Sequence, residues 1–288
     1  MTLLNSPFQR YRVGLQISPL TLALLLFFVA PVLAIVVMSL YKFTGFMTVP
    51  ELTIANYIKI FSKHLTLSNY LTTAKMVGIT WLVSVILGFT LAYFLVFDLV
   101  KLRTKLLLFL VLVVPFWTSS VTRTVSWVPF LGKEGIINKA VMGLGLSDEP
   151  LNFLLFSEFA VLLAYVHIFT LFMMAPLFNV MARIDRQLFD AARDAGANSW
   201  QIMWNITMPL CMPGIAIGTI FVVSLVASDF ATIGILGGQR VGTISISIIN
   251  QMSMAQFPHA SANAVVLLVL LLLVVVILMR LIDVRKHL

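Results

Sequence analysis

Long apolar runs alternate with short polar segments along the whole chain. Six of these runs have about the 20 apolar residues that a helix needs to cross a hydrocarbon core roughly 30 Å thick. The runs cover approximately residues 18–40, 71–97, 105–127, 152–181, 210–236 and 262–281. The pattern therefore predicts an all-α integral membrane protein with about six transmembrane helices.

Composition supports a single transmembrane domain over residues 1–288. Sixty per cent of the residues are hydrophobic and ten per cent are charged, whereas soluble domains carry about 25% charged residues. The first apolar run is longer than the core of a cleavable signal peptide, which has about 7–15 residues, so we expect it to remain as the first span. In the fifth run, Gly214 and Gly218 predict close packing against another helix, either of this chain or of a partner subunit.

The net charge is +8, and the positions of the basic residues indicate the membrane topology. The basic residues flank the apolar runs and do not form one amphipathic face, which argues against nucleic-acid binding. With an even number of spans and the N-terminus inside, 11 of the 19 basic residues are cytoplasmic, so both termini are predicted to be cytoplasmic. These eleven are Arg10, Arg12, Lys101, Arg103, Lys105, Arg183, Arg186, Arg193, Arg280, Arg285 and Lys286.

The sequence contains few residues in patterns that indicate catalysis or metal binding. The single Cys211 cannot form a disulfide framework or a Cys cluster for a metal. Gly132 and Lys133 are followed by Glu134, so they do not form a phosphate-binding loop. An intramembrane enzyme would need a nucleophile with a base or a metal-ligand cluster, and His167 is interpreted as a hydrogen-bonded interhelical histidine. We expect a non-catalytic chain with no cofactor of its own.

One polar segment, residues 185–209, is rich in helix formers but too polar to cross a membrane. We expect a helix outside the bilayer that ends at Gly196, where a positive φ is tolerated. Asn198 or Ser199 is expected to cap a second short helix. Pro209 is expected to open the fifth span.

The same segment has small side chains that would let another protein approach its backbone closely. The small residues are Ala191, Ala192, Ala195 and Gly196, and Asp190 and Arg193 are available for charge pairing. This pattern suits insertion into a groove of a partner. The alternative is an amphipathic helix on the membrane surface, with Trp200 and Trp204 among the lipid headgroups. Physical reasoning alone leaves both open.

The segment resembles the EAA loop of binding-protein-dependent importer permeases. The matching positions are Asp190, Ala191, Ala192, Gly196, Ile206, Met208 and Pro209. Two of them depart from the family pattern, since Asp190 replaces the usual Glu and Met208 the usual Leu. Both changes keep the charge or the apolar character. The resemblance implies that Asp190 to Arg193, Ala195, Gly196, Ile206 and Pro209 couple the chain to an ATPase.

The resemblance extends over nearly the whole chain and is closest to the spermidine/putrescine permease family. Similar segments are residues 114–127 (VPFWTSSVTRTVSW), 132–140 and 228–238. It implies a type I, methionine-importer-like permease fold with a cytoplasmic coupling helix, in the bacterial inner membrane. It also implies two ATPase subunits that bind ATP and Mg²⁺, a second permease subunit in a heterodimer, and an external solute-binding protein.

The solute implied by the resemblance is a polyamine or another small organic cation. Similar permeases carry amino-acid-like compounds, phosphonates or iron, so these remain alternatives. A secondary transporter built from inverted repeats is a remote alternative, because it gives no reason for the EAA loop.

Aromatic and hydroxyl side chains predict a wall of the solute pathway in the third span. Trp117, Ser120, Thr124 and Trp127 have the spacing of one helix face. Aromatic faces attract organic cations. The alternative is an interfacial aromatic belt combined with helix packing.

Asp229 lies within the fifth apolar run, where an ionisable side chain needs a partner or a wet cavity. At about 1.5 Å per residue, Asp229 lies about 30 Å from Pro209, and Arg123 lies about 27 Å from Lys105. The two charged residues are therefore expected at a similar depth. Asp229 either contacts a cationic solute or forms a salt bridge with Arg123, and both are candidate pathway residues.

Overall fold

The computed structural model describes residues 18–99, 101–238 and 240–281 of the chain. In chain order the elements are α1 (Ser18–Ser39), β1 (Tyr41–Phe43), β2 (Thr48–Leu52), α2 (Ala55–Ser62), α3 (His64–Asp98), α4 (Leu102–Trp117), α5 (Ser120–Ser126), α6 (Val128–Leu131), α7 (Ile136–Gly143), α8 (Glu158–Met181), α9 (Gln187–Asp194), α10 (Ser199–Ser228), α11 (Ile233–Gly237), α12 (Ile244–Ser253) and α13 (Phe257–Leu281).

The predicted all-α membrane fold with about six spans is confirmed. Helices α1, α3, α8, α10 and α13 are each long and apolar enough to cross a membrane. The third apolar run forms a sharply bent pair of helices that together have the length and hydropathy of a sixth span. One feature was not predicted: β1 and β2 form an antiparallel hairpin after α1, with Gly45 at a φ of +98° in its turn.

The described residues fall into two compact units. The first contains residues 18–63 and 248–268. In it, the Asn56 amide donates hydrogen bonds to the carbonyls of Ser39 and Tyr41, both at 2.8 Å. The Tyr57 and Ser39 hydroxyls are 2.6 Å apart. Helix α2 therefore fixes the backbone where α1 ends and the hairpin begins.

The second unit contains residues 64–247 and 269–281, apart from the two undescribed positions. Its core forms where α8 packs against glycines of α3 and α10. A Cβ added at Gly88 would lie 2.9 Å from Met173 Cγ, and one at Gly218 would lie 2.5 Å from Met173 Sδ. A Cβ at Gly214 would lie 3.2 Å from Leu177 Cα. The close packing predicted for Gly214 and Gly218 is confirmed, and the partner helix belongs to this chain.

We expect Gly88→Leu to destabilise this helix packing, because the added side chain meets both Met173 and the Met174 backbone nitrogen. Overpacking of a close-packed core typically costs about 1–3 kcal/mol. Gly78→Leu on the same helix is the matched control, since nothing lies within 4 Å of a Cβ there. Thermal unfolding of the purified chain should show a lower midpoint for Gly88→Leu alone. Equal midpoints would contradict the packing described here.

The third span is broken, whereas the sequence predicted one continuous helix over residues 105–127. Helix α4 ends at Trp117 and α5 begins at Ser120, and the directions of the stretches Leu102–Trp117 and Ser120–Gly143 differ by 97°. Pro115 lacks the N–H that would continue the helical ladder. Both the backbone N–H and the hydroxyl of Thr118 donate to the Pro115 carbonyl, at 3.2 and 2.6 Å. These local bonds replace the helical ones at the bend.

The fifth span also differs from its prediction at both ends. Helix α10 runs without a break from Ser199, so Pro209 does not open the span. A π-helical turn at Met203–Thr207, closed by the Met208 N–H on the Met203 carbonyl, precedes the proline. The helix ends at Ser228 and not near residue 236, because Asp229 has extended dihedral angles of −74° and 124°.

Other helix starts were also misplaced, and α13, for example, begins at Phe257 and not at residue 262. Helix α3 begins at His64 and not at residue 71, because its 35 residues extend beyond the apolar part that marks the hydrocarbon core. Helix α8 begins at Glu158 and not at residue 152. The Ser157 hydroxyl caps it by accepting from the Ala160 N–H at 3.2 Å.

Candidate functional site

The predicted coupling segment forms a short helix with a defined end. Helix α9 covers Gln187–Asp194. After it, the Gly196 N–H donates to the Arg193 carbonyl and the Ala197 N–H to the Ala192 carbonyl, both at 2.9 Å. This pair of bonds is a Schellman motif, and it requires the φ of +83° that Gly196 adopts. The predicted helix end at Gly196 is confirmed.

The second predicted cap is also present. The Asn198 side chain accepts from the Gln201 N–H at 2.9 Å, and the Gln201 side chain accepts from the Asn198 N–H at 2.8 Å. This reciprocal pair is a capping box at the start of α10. The turn between α9 and α10 is therefore fixed by backbone and side-chain hydrogen bonds at both ends.

One face of α9 is attached to the end of α3. The Phe189 ring is buried and contacts Phe97 edge-on, with ring centroids 5.1 Å apart. The Arg186 guanidinium donates to the Val96 carbonyl at 3.1 Å, and Lys105 Nζ donates to the same carbonyl at 3.1 Å. These anchors were not predicted from the sequence. Phe189, an aromatic side chain within a polar helix, was the available signal.

Most of the remaining surface of α9 is exposed, and we call it the exposed face. The predicted coupling residues at this face are Asp190, Ala191, Ala192, Arg193, Ala195 and Gly196, and all are exposed except the half-buried Ala192. Asp190 and Arg193 form an ion pair at 3.4 Å with both side chains 69% exposed. Such a surface pair contributes about 0–1 kcal/mol, so it can exchange for contacts with another protein.

The structure places Ile206 and Pro209 apart from this face, on α10. Ile206 is half-buried within the π-helical turn, and Pro209 is exposed just after it. Trp200 and Trp204 are exposed on the first turns of α10, with ring centroids 5.5 Å apart. The two tryptophans thus lie on the helix that enters the membrane, and not on α9.

A cavity of about 240 Å³ lies between α9 and the neighbouring ends of α3 and α10. It is lined by Tyr93, Phe97, Arg186, Phe189, Asp190, Arg193, Ser199 and Ile202. The cavity has both charged and aromatic walls and opens beside the exposed face of α9. It belongs to the same candidate site.

The predicted pathway stripe of the third span does not lie on one helix face. Trp117 is on α4 before the bend and 83% exposed. Ser120, Thr124 and Trp127 follow the bend. Thr124 is buried, and its hydroxyl lies 3.2 Å from the Thr232 hydroxyl, whereas Ser120 is exposed. The prediction of one shared helix face was wrong because the helix is broken at Thr118, between the first two members of the stripe. The role of these residues as a wall of the solute pathway stays a prediction.

His167 makes the interhelical hydrogen bond that the sequence analysis anticipated. Its Nδ1 accepts from the Trp127 indole N–H at 3.3 Å, and the two rings meet edge-on with centroids 5.6 Å apart. This contact joins the end of α5 to the middle of α8. It also gives the indole N–H of Trp127 a hydrogen-bond acceptor.

Asp229 stands at the break between α10 and α11. Its carboxylate accepts from the Thr232 N–H at 3.2 Å, and its carbonyl accepts from the Ser245 hydroxyl at 2.7 Å. The hydroxyl of the buried Tyr165 lies within electrostatic reach of the carboxylate. Asp229 therefore caps a new segment at an interruption of the span, a position that the continuous-helix prediction missed.

Arg123 and Asp229 do not pair in the structure. Both residues are described, and no carboxylate oxygen of Asp229 lies within 4.0 Å of an Arg123 nitrogen among the ion pairs of the described residues. Arg123 instead lies over the Phe116 ring, 5.5 Å from its centroid. The segments that carry the two charges are adjacent, as the Thr124–Thr232 contact shows.

Sequence comparison decides the family. Over 273 residues the chain is 32% identical to the spermidine/putrescine transport system permease protein PotB of Haemophilus influenzae, covering 93% of this chain and 91% of that protein. The chain belongs to this permease family. PotB of Escherichia coli is 33% identical over 216 residues, covering 75% of this chain and 77% of its own length. No family model matches the sequence.

A solved structure supports the fold of the permease. A bacterial alginate ABC transporter, crystallised in complex with a periplasmic protein that holds an alginate pentasaccharide, contains a chain that superposes with a TM-score of 0.79 at 17% identity. The match covers 100% of this chain and 99% of that one. The permease is thus a multi-pass inner-membrane protein and a transmembrane subunit of an ATP-binding-cassette importer.

Proposed function

We propose that the permease carries a polyamine or another small organic cation. The observation that carries this proposal is the 32% identity to a spermidine/putrescine permease over 93% of the chain. A carboxylate at the break of a membrane span, Asp229, supports it, because an unpaired acidic group favours a cationic solute. Amino-acid-like compounds, phosphonates and iron remain the alternatives for the same permease class.

The permease forms half of the solute pathway beside a second permease subunit, in a heterodimer. Two ATPase subunits bind ATP and Mg²⁺ and carry out hydrolysis, and an external solute-binding protein delivers the solute. The complex of the similar alginate transporter with a periplasmic protein supports the last of these partners. The sequence of the permease has no G-x-x-x-x-G-K-[ST] segment, which supports a non-catalytic role.

Helix α9 is the element that docks on the ATPase. Its Phe189 face is fixed to α3, so force applied to its exposed face is transmitted to a membrane-spanning helix. The Ala and Gly side chains at that face allow a groove of the partner to reach the backbone. Both termini and α9 are cytoplasmic in this arrangement, as the basic residues favour. Arg10, Arg12, Arg285 and Lys286, four of the residues that favour it, lie outside the described residues.

We expect the solute-binding protein that associates with this permease to bind spermidine and putrescine in preference to amino acids, phosphonates and ferric ion. Calorimetric titration with each compound measures this, and we expect a preference of at least about tenfold, or 1.4 kcal/mol. ATP-dependent uptake by the reconstituted importer should then be competed by unlabelled polyamine only. An exclusive preference for an anion would refute the proposed solute class.

A further inference from the structure

A second cavity, of about 270 Å³, lies at the bend of the third span. Its walls come from α3, α4, α5 and α8, all in the second compact unit. The lining residues are Leu87, Leu91, Val111, Leu112, Pro115, Arg123, Val166, His167, Thr170 and Leu171. Seven of these ten are apolar. By volume the cavity exceeds one of about 150 Å³ that accommodates benzene, so a short segment of a hydrocarbon chain fits.

The three polar residues of this cavity differ in which of their hydrogen-bonding groups lack a partner. The Thr170 hydroxyl is bonded to the Val166 carbonyl at 2.6 Å. His167 uses Nδ1 to accept from Trp127, so the neutral ring carries its proton on Nε2 and remains a donor. The Arg123 guanidinium makes no hydrogen bond or ion pair with the described residues, and its Nε is buried without a partner. The groups left to the cavity are therefore donors, one of them permanently charged.

An arginine among aliphatic walls needs an anion. Arg123 is half-buried, and a guanidinium that is partly removed from water without a partner is stabilised when a carboxylate or phosphate accepts its hydrogen bonds. The stacking of Arg123 on Phe116 compensates only part of the cost of that removal. A cationic solute would be repelled by the same guanidinium, so the cavity is not a station for a polyamine.

The aliphatic lining of the cavity indicates which kind of molecule bears the anionic group. Leu87 and Val111 are exposed on α3 and α4, and exposed aliphatic side chains of membrane-spanning helices suit contact with a hydrocarbon chain. We propose that this cavity binds an anionic amphiphile, with its carboxylate or phosphate on Arg123 and its aliphatic chain along Leu87, Val111 and Leu171. The site is independent of the solute and of the ATPase. Its ligand comes from the membrane, either as a free fatty acid or as an anionic phospholipid.

Native mass spectrometry of the purified, detergent-exchanged chain tests this proposal. We expect the wild-type chain to retain about one equivalent of oleate or of phosphatidylglycerol. In Arg123→Gln we expect the retained amount to be lower by at least about tenfold. Titration with oleate and with phosphatidylglycerol in separate arms shows which source binds more tightly. Phosphatidylcholine, which has no net charge, should not compete.

Two further variants separate the site from general electrostatic attraction. Arg103→Gln removes an exposed positive charge at the start of α4 that does not line the cavity, so retention should be unchanged. Leu171→Trp fills the cavity but keeps Arg123, so retention should fall. Retention that is equal in wild type and Arg123→Gln would overturn the proposal. A loss in Arg103→Gln as large as in Arg123→Gln would also overturn it, because it would indicate a diffuse charge effect.

Discussion

Replacing Gly196 by Asp is expected to abolish transport while leaving the permease in the membrane. Ala191, Ala195 and Gly196 present almost no side-chain bulk, and nothing lies within 4 Å of a Cβ added at Gly196 within the chain itself. A groove that accepts this backbone excludes a larger, charged side chain. Ala192→Trp should have the same effect. Solute uptake and copurification of the ATPase measure both consequences.

Backbone strain must be separated from loss of docking in this experiment, because Gly196 has a φ of +83°. Gly145→Asp is a matched control, since Gly145 has a φ of +69° and also has open space around it. An Asp at either position adopts a similar left-handed conformation. We expect Gly145→Asp to transport normally. Normal uptake and intact ATPase association in Gly196→Asp would rule out α9 as the docking element.

The sequence was sufficient to predict the parts of the fold that depend on hydrophobicity. The apolar runs predicted six crossings, and the predicted ends of the first and fourth spans fall within one residue of the observed ends at Ser39 and Met181. Helix starts were less accurate, since polar turns such as His64 to Asn69 continue a helix beyond the hydrocarbon core. The hydrophobic pattern reports the membrane and does not report where the helical hydrogen bonds begin.

The coupling segment was predictable because its signals are local. Gly196 and Asn198 lie at the positions that their intrinsic preferences indicate, a left-handed helix end and an N-cap. The anchors of α9 were not predictable in this way. The contacts of Phe189 with Phe97 and of Arg186 with Val96 join residues about 90 positions apart, and no local pattern encodes them.

The helix geometry predicted around the pathway residues was less accurate because both of the spans that carry them are interrupted. Pro115 and the hydroxyl residues after Trp117 were available as break signals, but the apolar run on both sides concealed them. Asp229 was interpreted as an ionisable group inside a helix, whereas it ends one helix and caps the next segment. The predicted similar depth of Arg123 and Asp229 therefore did not produce a salt bridge.

Asp229→Asn is expected to impair uptake of a cationic solute by about tenfold or more. An Asn side chain still accepts a hydrogen bond from the Thr232 N–H and is as good an N-cap as Asp, so the variant removes the charge and keeps the local structure. A hydrogen bond to a charged group contributes about 1.5–3 kcal/mol. Losing such a bond to the solute would raise KM by about tenfold or more. Concentration-dependent uptake by the reconstituted importer measures it.

Charge changes at Arg123 distinguish solute contact from helix packing. Because Arg123 and Asp229 make no ion pair in the structure, Arg123→Gln should leave the KM for solute within about twofold of wild type, a difference of less than about 0.5 kcal/mol. Combining Asp229→Arg with Arg123→Asp should not restore uptake, since the two exchanged charges would still not face each other. Position 229 lies near Tyr165 and Thr232, whereas position 123 lines the aliphatic cavity. Recovery of transport in the exchanged pair would show that the two charges meet during transport. Asp229 would then serve helix packing and not solute binding.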